Sequence, residues 1–460
     1  VRTRAERDTL GVVRVPAGAY YGPETARALE NFRISGRPEP RILVKALALV
    51  KAAAAEANAK TGKIEKRKAA AIGKAAMEVA SGKFADQFLV DAFQAGAGTS
   101  FNMNMNEVVA NRAIEILGGH KGQYSLVHPH DDVNASQSTN DTFPTAMRIA
   151  AAWRAAELSR EARLLSKELA AKAREFRKIV TAGRTHLQDA VPITLGEEFS
   201  GYAEAMQKAA KRIDEKSKAM LTVNLGATAV GTGAGATPRY VKHAVARLSR
   251  LSRLRLTPAP NYFWIQQSMS DFVELSGATR TFATDFIRIA NDIRLLASGP
   301  RDGLEEISLP AVQPGSSIMP GKVNPSIAEM ADMVGFQVIG NDVAVAFAAQ
   351  AGQLELNVFM PLIAKDVIES LELSANACRA MREKAVKGIK ANAETCRRYA
   401  MRSPALATIL AQVIGYDAAA KIAQEAVRRN KTIPEIVREK NLLTADQIRR
   451  LVDPHRLVKR

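Results

Sequence analysis

The chain of 460 residues is long enough for two or three domains built on a large core. Its 47% hydrophobic and 24% charged residues exclude a disordered chain, and no apolar run reaches the ~20 residues that span a bilayer. The net charge of +18 is spread over many segments without a dense basic tract, so nucleic acid and membrane are not expected as partners.

Ala, Leu, Arg, Lys and Glu recur while aromatic residues make up only 5%, which favours helix because these side chains lose little rotamer freedom there. The N-terminus "VRTRAERDTLG" lacks the apolar stretch of a signal peptide, and the two cysteines, Cys378 and Cys396, suit a reducing cytoplasm, the expected location. The first 35 residues read as irregular. From Arg41 to Gly82 apolar positions recur at helical spacing. Polar segments rich in Gly, Asn and Ser then break in at 95–107 and 128–144. A helical pattern follows from Thr145 to Arg177, a further polar break covers 183–196, and long helical patterns run over 197–223, 268–297, 326–350 and 358–386. Helices this long predict a bundle. Beyond about residue 394 the segments shorten, which predicts a small C-terminal helical domain after an N-terminal domain (1–139) and a central one (140–394).

The loop "VQPGSSIMPGKVNPS" at 312–326 interrupts the last third of this helical chain. It reads either as an ordinary connection or as a loop that closes over a ligand. Gly315 and Gly321 permit backbone conformations in which successive N–H groups form an anion-binding nest. Lys322 adds a cation and Asn324 a neutral donor, and either Ser316 or Ser317 becomes a base if those donors stabilise its alkoxide. In the other breaks, Thr99, Ser100, Asn102 and Asn104 offer hydroxyls and amides. Ser138, Thr139 and Asn140 read as the cap of a helix beginning near Pro144, and such a helix start is also a carboxylate site. Thr185, His186 and Gln188 form a third group; a lone histidine such as His186 is more often structural, and its place among hydroxyl and amide residues after a long helix points instead to a role in the site. His128 and His130 make an H-x-H with no further ligand cluster at suitable spacing, so no metal is expected. Nucleotide-binding glycine motifs are missing from the sequence.

"GSSIMPGKVNP" resembles the signature loop of the aspartase/fumarase superfamily, and "GAGTSFNMNMNEVVANRA", "DVNASQSTNDTFPTAMRIA", "GRTHLQDAVPITLG", "GATAVGTG", "SGPRDGL" and "ELNVFMP" follow in that family's order. The resemblance covers nearly the whole chain. It implies an all-α, three-domain fold whose central helices form a twenty-helix core in a homotetramer, with each active site built from three subunits. It also implies elimination from a small dicarboxylate through an aci-carboxylate, with no cofactor. On the same warrant Ser316 is the base, with Ser317 and Met319 beside it. Lys322, Asn324 and Thr185 hold the carboxylate whose charge grows. Thr99, Ser138, Thr139 and Asn140 bind the other end, His186 contacts the substrate as a second catalytic residue, and Arg27 lies near the site. Within the family, "AYYG", "DQFLVD", "GAGTS", "QSTND" and "AGQLELN" resemble aspartase, whereas "HPHDDVN", "LASGP" and "NVFMP" resemble class II fumarase. The expectation is release of ammonia from L-aspartate to give fumarate, with hydration of fumarate to L-malate as the alternative.

Overall fold

A computed structural model describes residues 2–451; Val1 and 452–460, the end of the predicted C-terminal domain, lie outside the described residues. The chain is mostly helical, with small two-stranded sheets. Strands β1 (Thr3–Asp8) and β2 (Gly11–Pro16) pair as a hairpin, followed by α1 (Pro23–Asn31), α2 (Arg41–Thr61), α3 (Lys66–Ala80) and α4 (Thr99–Ile116). The longest helix, α5 (Thr139–Glu175), leads to a second hairpin of β3 (Val180–Thr185) and β4 (Gln188–Thr194). Then come α6 (Leu195–Ser217), α7 (Pro238–Ser252), α8 (Tyr262–Gln267), α9 (Ser270–Leu296), α10 (Ser326–Gln350) and α11 (Met360–Ala380). Shorter helices end the chain, and Leu406, Leu410, Ile422, Ile433, Ile436 and Val437 form a core of their own there. No described helix is long and apolar enough to cross a membrane.

Three readings of the sequence need correction, and a fourth gains a boundary. The first 35 residues are not irregular: β1 alternates its side chains and pairs in register with β2. The helical run from Arg41 to Gly82 is two helices, because Gly62 adopts φ 75° and ends α2 there. The polar segment 95–107 is mostly helix. Asn102, Asn104 and Asn106 lie buried inside α4, and the Asn104 amide donates to the Gln87 carbonyl at 3.0 Å. The break at 183–196 is a β-hairpin that runs directly into α6.

The chain divides into two compact units. The first comprises the chain to Leu158, Arg212–Arg280 and Gln337–Leu373. Its polar core includes a fully buried Arg148 on α5, which donates to Asp271 of α9 at 2.8 Å and to the Ala219 carbonyl at 3.0 Å. Such a pair fixes the approach of two helices more than it stabilises them. A second buried group, Glu107 of α4, accepts from the backbone N–H groups of Gly22, Glu24 and Thr25 and so caps α1 from outside. The other unit comprises Ser159–Lys211, Thr281–Phe336 and the chain from Ser374. There Arg382 pairs with the buried Glu161 at 2.8 Å, and Lys172 donates to the Ile389 carbonyl at 2.8 Å.

Candidate active site

The predicted residues fall into two groups. Thr99, Ser138, Thr139, Asn140 and Arg27 belong to the first unit; Thr185, His186, Ser316, Ser317, Met319, Lys322 and Asn324 belong to the second.

In the first unit, α4 and α5 start side by side. Gly98, the residue before α4, has φ 83°, and a Cβ there would run into the Phe143 ring of α5. Thr99 is therefore the first residue of α4, with its hydroxyl on the Gly96 carbonyl at 3.1 Å. The start of α5 departs from expectation: the helix begins at Thr139, not near Pro144. Ser138 is its cap, with Oγ accepting from the Asn140 N–H at 3.2 Å while its own N–H donates to Asp141 Oδ1 at 3.0 Å. Pro144 has no N–H for the Asn140 carbonyl one turn back, and Gln266 Nε2 fills that place at 3.3 Å. Asn140 donates to the Ala229 carbonyl at 2.8 Å, which leaves its second amide hydrogen for a ligand.

Beneath this helix start lies a buried polar layer that the sequence reading passed over. Asp141 Oδ2 accepts from the Gly226 and Thr228 N–H groups at 3.0 and 3.1 Å. Burial pushes its carboxyl up to about 6 against those bonds. Lys51 of α2, also fully buried, donates to Asn134 Oδ1 at 2.9 Å and Gln137 Oε1 at 3.1 Å, and burial brings its ammonium down to about 7. The available signal was a lone lysine on the core side of the apolar run "ALALVKAAAA".

In the second unit, the β3–β4 hairpin carries Thr185 and His186 at its tip. Register pairs Thr185 with Gln188, so His186 and Leu187 alone make the turn, with φ of 57° and 59°. Two non-glycine residues in that conformation are strained, and strain of this kind persists where the surroundings over-determine it. The brace is Glu306, fully buried, whose Oε1 accepts from Thr181 Oγ1 and Arg184 Nη2, both at 2.7 Å. Both tip residues face solvent, and Leu187 is 71% exposed.

The loop before α10 is closed on itself. The Gly315 N–H donates to the Lys322 carbonyl at 2.9 Å, and Asn324 Nδ2 donates to the Gly315 carbonyl at 2.6 Å. Inside this ring, Ser316 Oγ accepts from the Ile318 and Met319 N–H groups at 3.2 and 3.0 Å. Two donors aimed at one hydroxyl oxygen stabilise charge that develops on it. Ser317 and Lys322 are exposed. A Cβ at Gly315 would collide with the Lys322 carbonyl, so Gly315→Ala should open the ring. The expected outcome is a fall of about 100-fold in turnover with the thermal midpoint nearly unchanged, since the loop buries little. Steady-state rates beside a melting curve check it.

Arg27 is engaged elsewhere, in a two-pronged pair with Asp8 at the end of β1 (2.7 and 3.0 Å). His130 Nε2 lies 2.6 Å from Glu24, whose carboxylate raises the imidazole above its ordinary value, and His128 Nδ1 accepts from the His130 and Asp131 N–H groups. A cavity of about 660 Å³ in the first unit, lined by Gly226, Gly233, Val241, Leu256 and Tyr262, is largely apolar and contains none of the predicted residues.

Long helices that carry hydroxyls, amides and a lysine at their starts and turns define a mostly helical framework with polar clusters suited to a small anion. Residues 11–340 match the model of a family described as "Lyase", and 406–459 match "Fumarase C C-terminus". The chain belongs to the aspartase/fumarase superfamily. It is 46% identical over 459 residues to an aspartate ammonia-lyase of Pseudomonas fluorescens, covering 99% of this chain and 96% of that one. It is also 46% identical over 462 residues to a class II fumarate hydratase of Neisseria meningitidis, covering 100% and 99%. A crystal structure of fumarate lyase:delta crystallin from Brucella melitensis bound to cobalt superposes with a TM-score of 0.96 at 46% identity over the full length of both chains. The expected superfamily and mostly helical fold are therefore correct, and the small two-stranded sheets decorate that fold.

Proposed function

We propose that this lyase eliminates ammonia from L-aspartate to give fumarate, reversibly. The observation that carries the reading is the Ser316 oxygen held by two backbone donors in a loop that also presents Lys322 and Asn324. In the forward direction the Ser316 alkoxide takes the proton from the carbon next to one carboxylate. Lys322, the free amide hydrogen of Asn324 and Thr185 receive the doubly charged aci-carboxylate, with His186 against the substrate. The C–N bond then breaks, its electron pair leaves with ammonia, and the C–C double bond forms. Thr99, Ser138, Thr139 and Asn140 bind the opposite carboxylate at the start of α5, where peptide dipoles favour an anion.

We assign this site to a homotetramer. Supporting it, α10 shows Met333, Phe336, Val343 and Phe347 on one face, each 51–66% exposed. With Gly340 they stand at alternating steps of three and four, the seam of a helix that packs on another helix.

The second reading, hydration of fumarate to L-malate, is favoured by the class II fumarate hydratase that is equally identical to this chain. Following fumarate absorbance on mixing the protein with L-aspartate or L-malate separates the two. Absorbance should rise with aspartate; a rise with malate alone overturns the ammonia-lyase reading.

A further inference from the structure

We propose that the buried Lys51 is a positioning residue that sets the direction of a hydrogen-bond chain, so that the Thr139 hydroxyl points its hydrogen at the substrate carboxylate. The inference rests on the reading above in one respect, that Thr139 meets a carboxylate.

The direction follows from what each group is able to donate. The Lys51 head donates to two oxygens at once, Asn134 Oδ1 at 2.9 Å and Gln137 Oε1 at 3.1 Å, and both as ammonium and as amine it carries the two N–H hydrogens they need. Its contact with Asn134 at 2.9 Å therefore turns the carbonyl oxygen of that amide towards Lys51, and the Asn134 nitrogen faces the Gln137 carbonyl at 3.3 Å. The same Asn134 oxygen lies 3.4 Å from the side chain of Asn102, so Asn102 presents its NH2 group there. That group has a second hydrogen, which goes to Thr139 Oγ1 at 2.9 Å. Thr139 thus accepts from within, and its own hydrogen is left for whatever lies outside. With the opposite amide orientation Thr139 would donate inward and offer an anion only lone pairs. Lys51 and Asn102 are 0% and 1% exposed, so the two ends of these links are out of reach of water, with the half-buried Asn134 between them.

Burying a lysine head without a salt-bridge partner within hydrogen-bond reach is costly, and an apolar residue of equal length would suit the Ala-rich face of α2 better. The lysine stands where its N–H donors are what a methionine of similar length lacks.

The test reads binding of succinate, a four-carbon dicarboxylate that carries no leaving group, by calorimetry on the full chain. Thr139→Val removes the outward hydrogen; Asn102→Asp, isosteric and acceptor-only, forces that hydrogen inward. Each is expected to raise the succinate Kd by about 10- to 100-fold. The double variant should bind no worse than Thr139→Val alone, because both changes delete the same donor. Effects that multiply in the double variant overturn the inference, as does an unchanged Kd for Asn102→Asp. Lys51→Met should weaken succinate binding several-fold while leaving kcat near the wild-type value and the melting temperature equal or higher; a lower melting temperature with unchanged binding would make Lys51 merely structural. If the wild-type chain binds succinate but makes fumarate from neither aspartate nor malate, the reaction assigned above fails while the hydrogen-bond direction stands or falls on the binding series.

Discussion

Ser316→Ala is expected to lower kcat by about 1,000-fold, within the range that a positioned base contributes, with KM for the dicarboxylate changed by less than about threefold. The split follows from geometry. Ser316 Oγ accepts from Ile318 and Met319, and those donors stay in place when the oxygen is removed. The ring that closes the loop uses Gly315, Lys322 and Asn324, none of which depends on the serine side chain. Ground-state binding should therefore survive while proton removal fails. Ser317→Ala is the control: its side chain is exposed, and turnover should stay within a few-fold of wild type. Single-turnover and steady-state rates on both variants check the expectation. A Ser316→Ala protein with near-normal kcat would remove the base from the mechanism, and loss in Ser317→Ala instead would move it one residue along.

The other large effect is expected from the exposed face of α10. Phe347→Asp should break the assembly into smaller species by sedimentation and lower activity by more than about 100-fold, although the isolated chain keeps its helix content. Phe347 is 64% exposed in the single chain, and covering such a side chain stabilises an interface by roughly 2 kcal/mol per copy. Placing a carboxylate there reverses the sign, because an unpaired charge has to be desolvated. Activity falls with assembly only if the site is shared, and mixing subunits tests that separately. Ser316→Ala and Asn140→Ala chains, each inactive alone, should regain part of the activity when co-assembled, since some sites then combine two intact halves. An active monomer of Phe347→Asp would sink the shared site.

The local geometry of the polar loop was largely legible. Gly315, Ser316, Lys322 and Asn324 stand within ten residues of one another, and a glycine-bearing turn that gathers N–H groups needs no distant partner. The same holds for Ser138–Asn140, where capping explains the helix start, although that start was misplaced by trusting Pro144. Proline does interrupt the ladder there, but a residue far along the chain, Gln266, takes up the carbonyl it frees. The first hairpin was missed because β1 is rich in charged residues, and its alternation shows only against the paired strand.

Sequence alone determined the helical class, the superfamily and the order of the polar segments, because hydrophobic periodicity and short turn motifs are written within a few residues of each other. Only the tertiary structure decided what holds those segments in place: Glu306 under the strained His186–Leu187 turn, Asp141 tying α5 to Gly226 and Thr228, and Lys51 beneath Asn134 and Asn102. Each is a buried polar group whose hydrogen bonds come from residues tens to more than a hundred positions away, with Glu306 bonded through Oε1 alone. No local pattern encodes such a partner, since the cost of burying a charge is offset only when the folded chain brings its hydrogen bonds together.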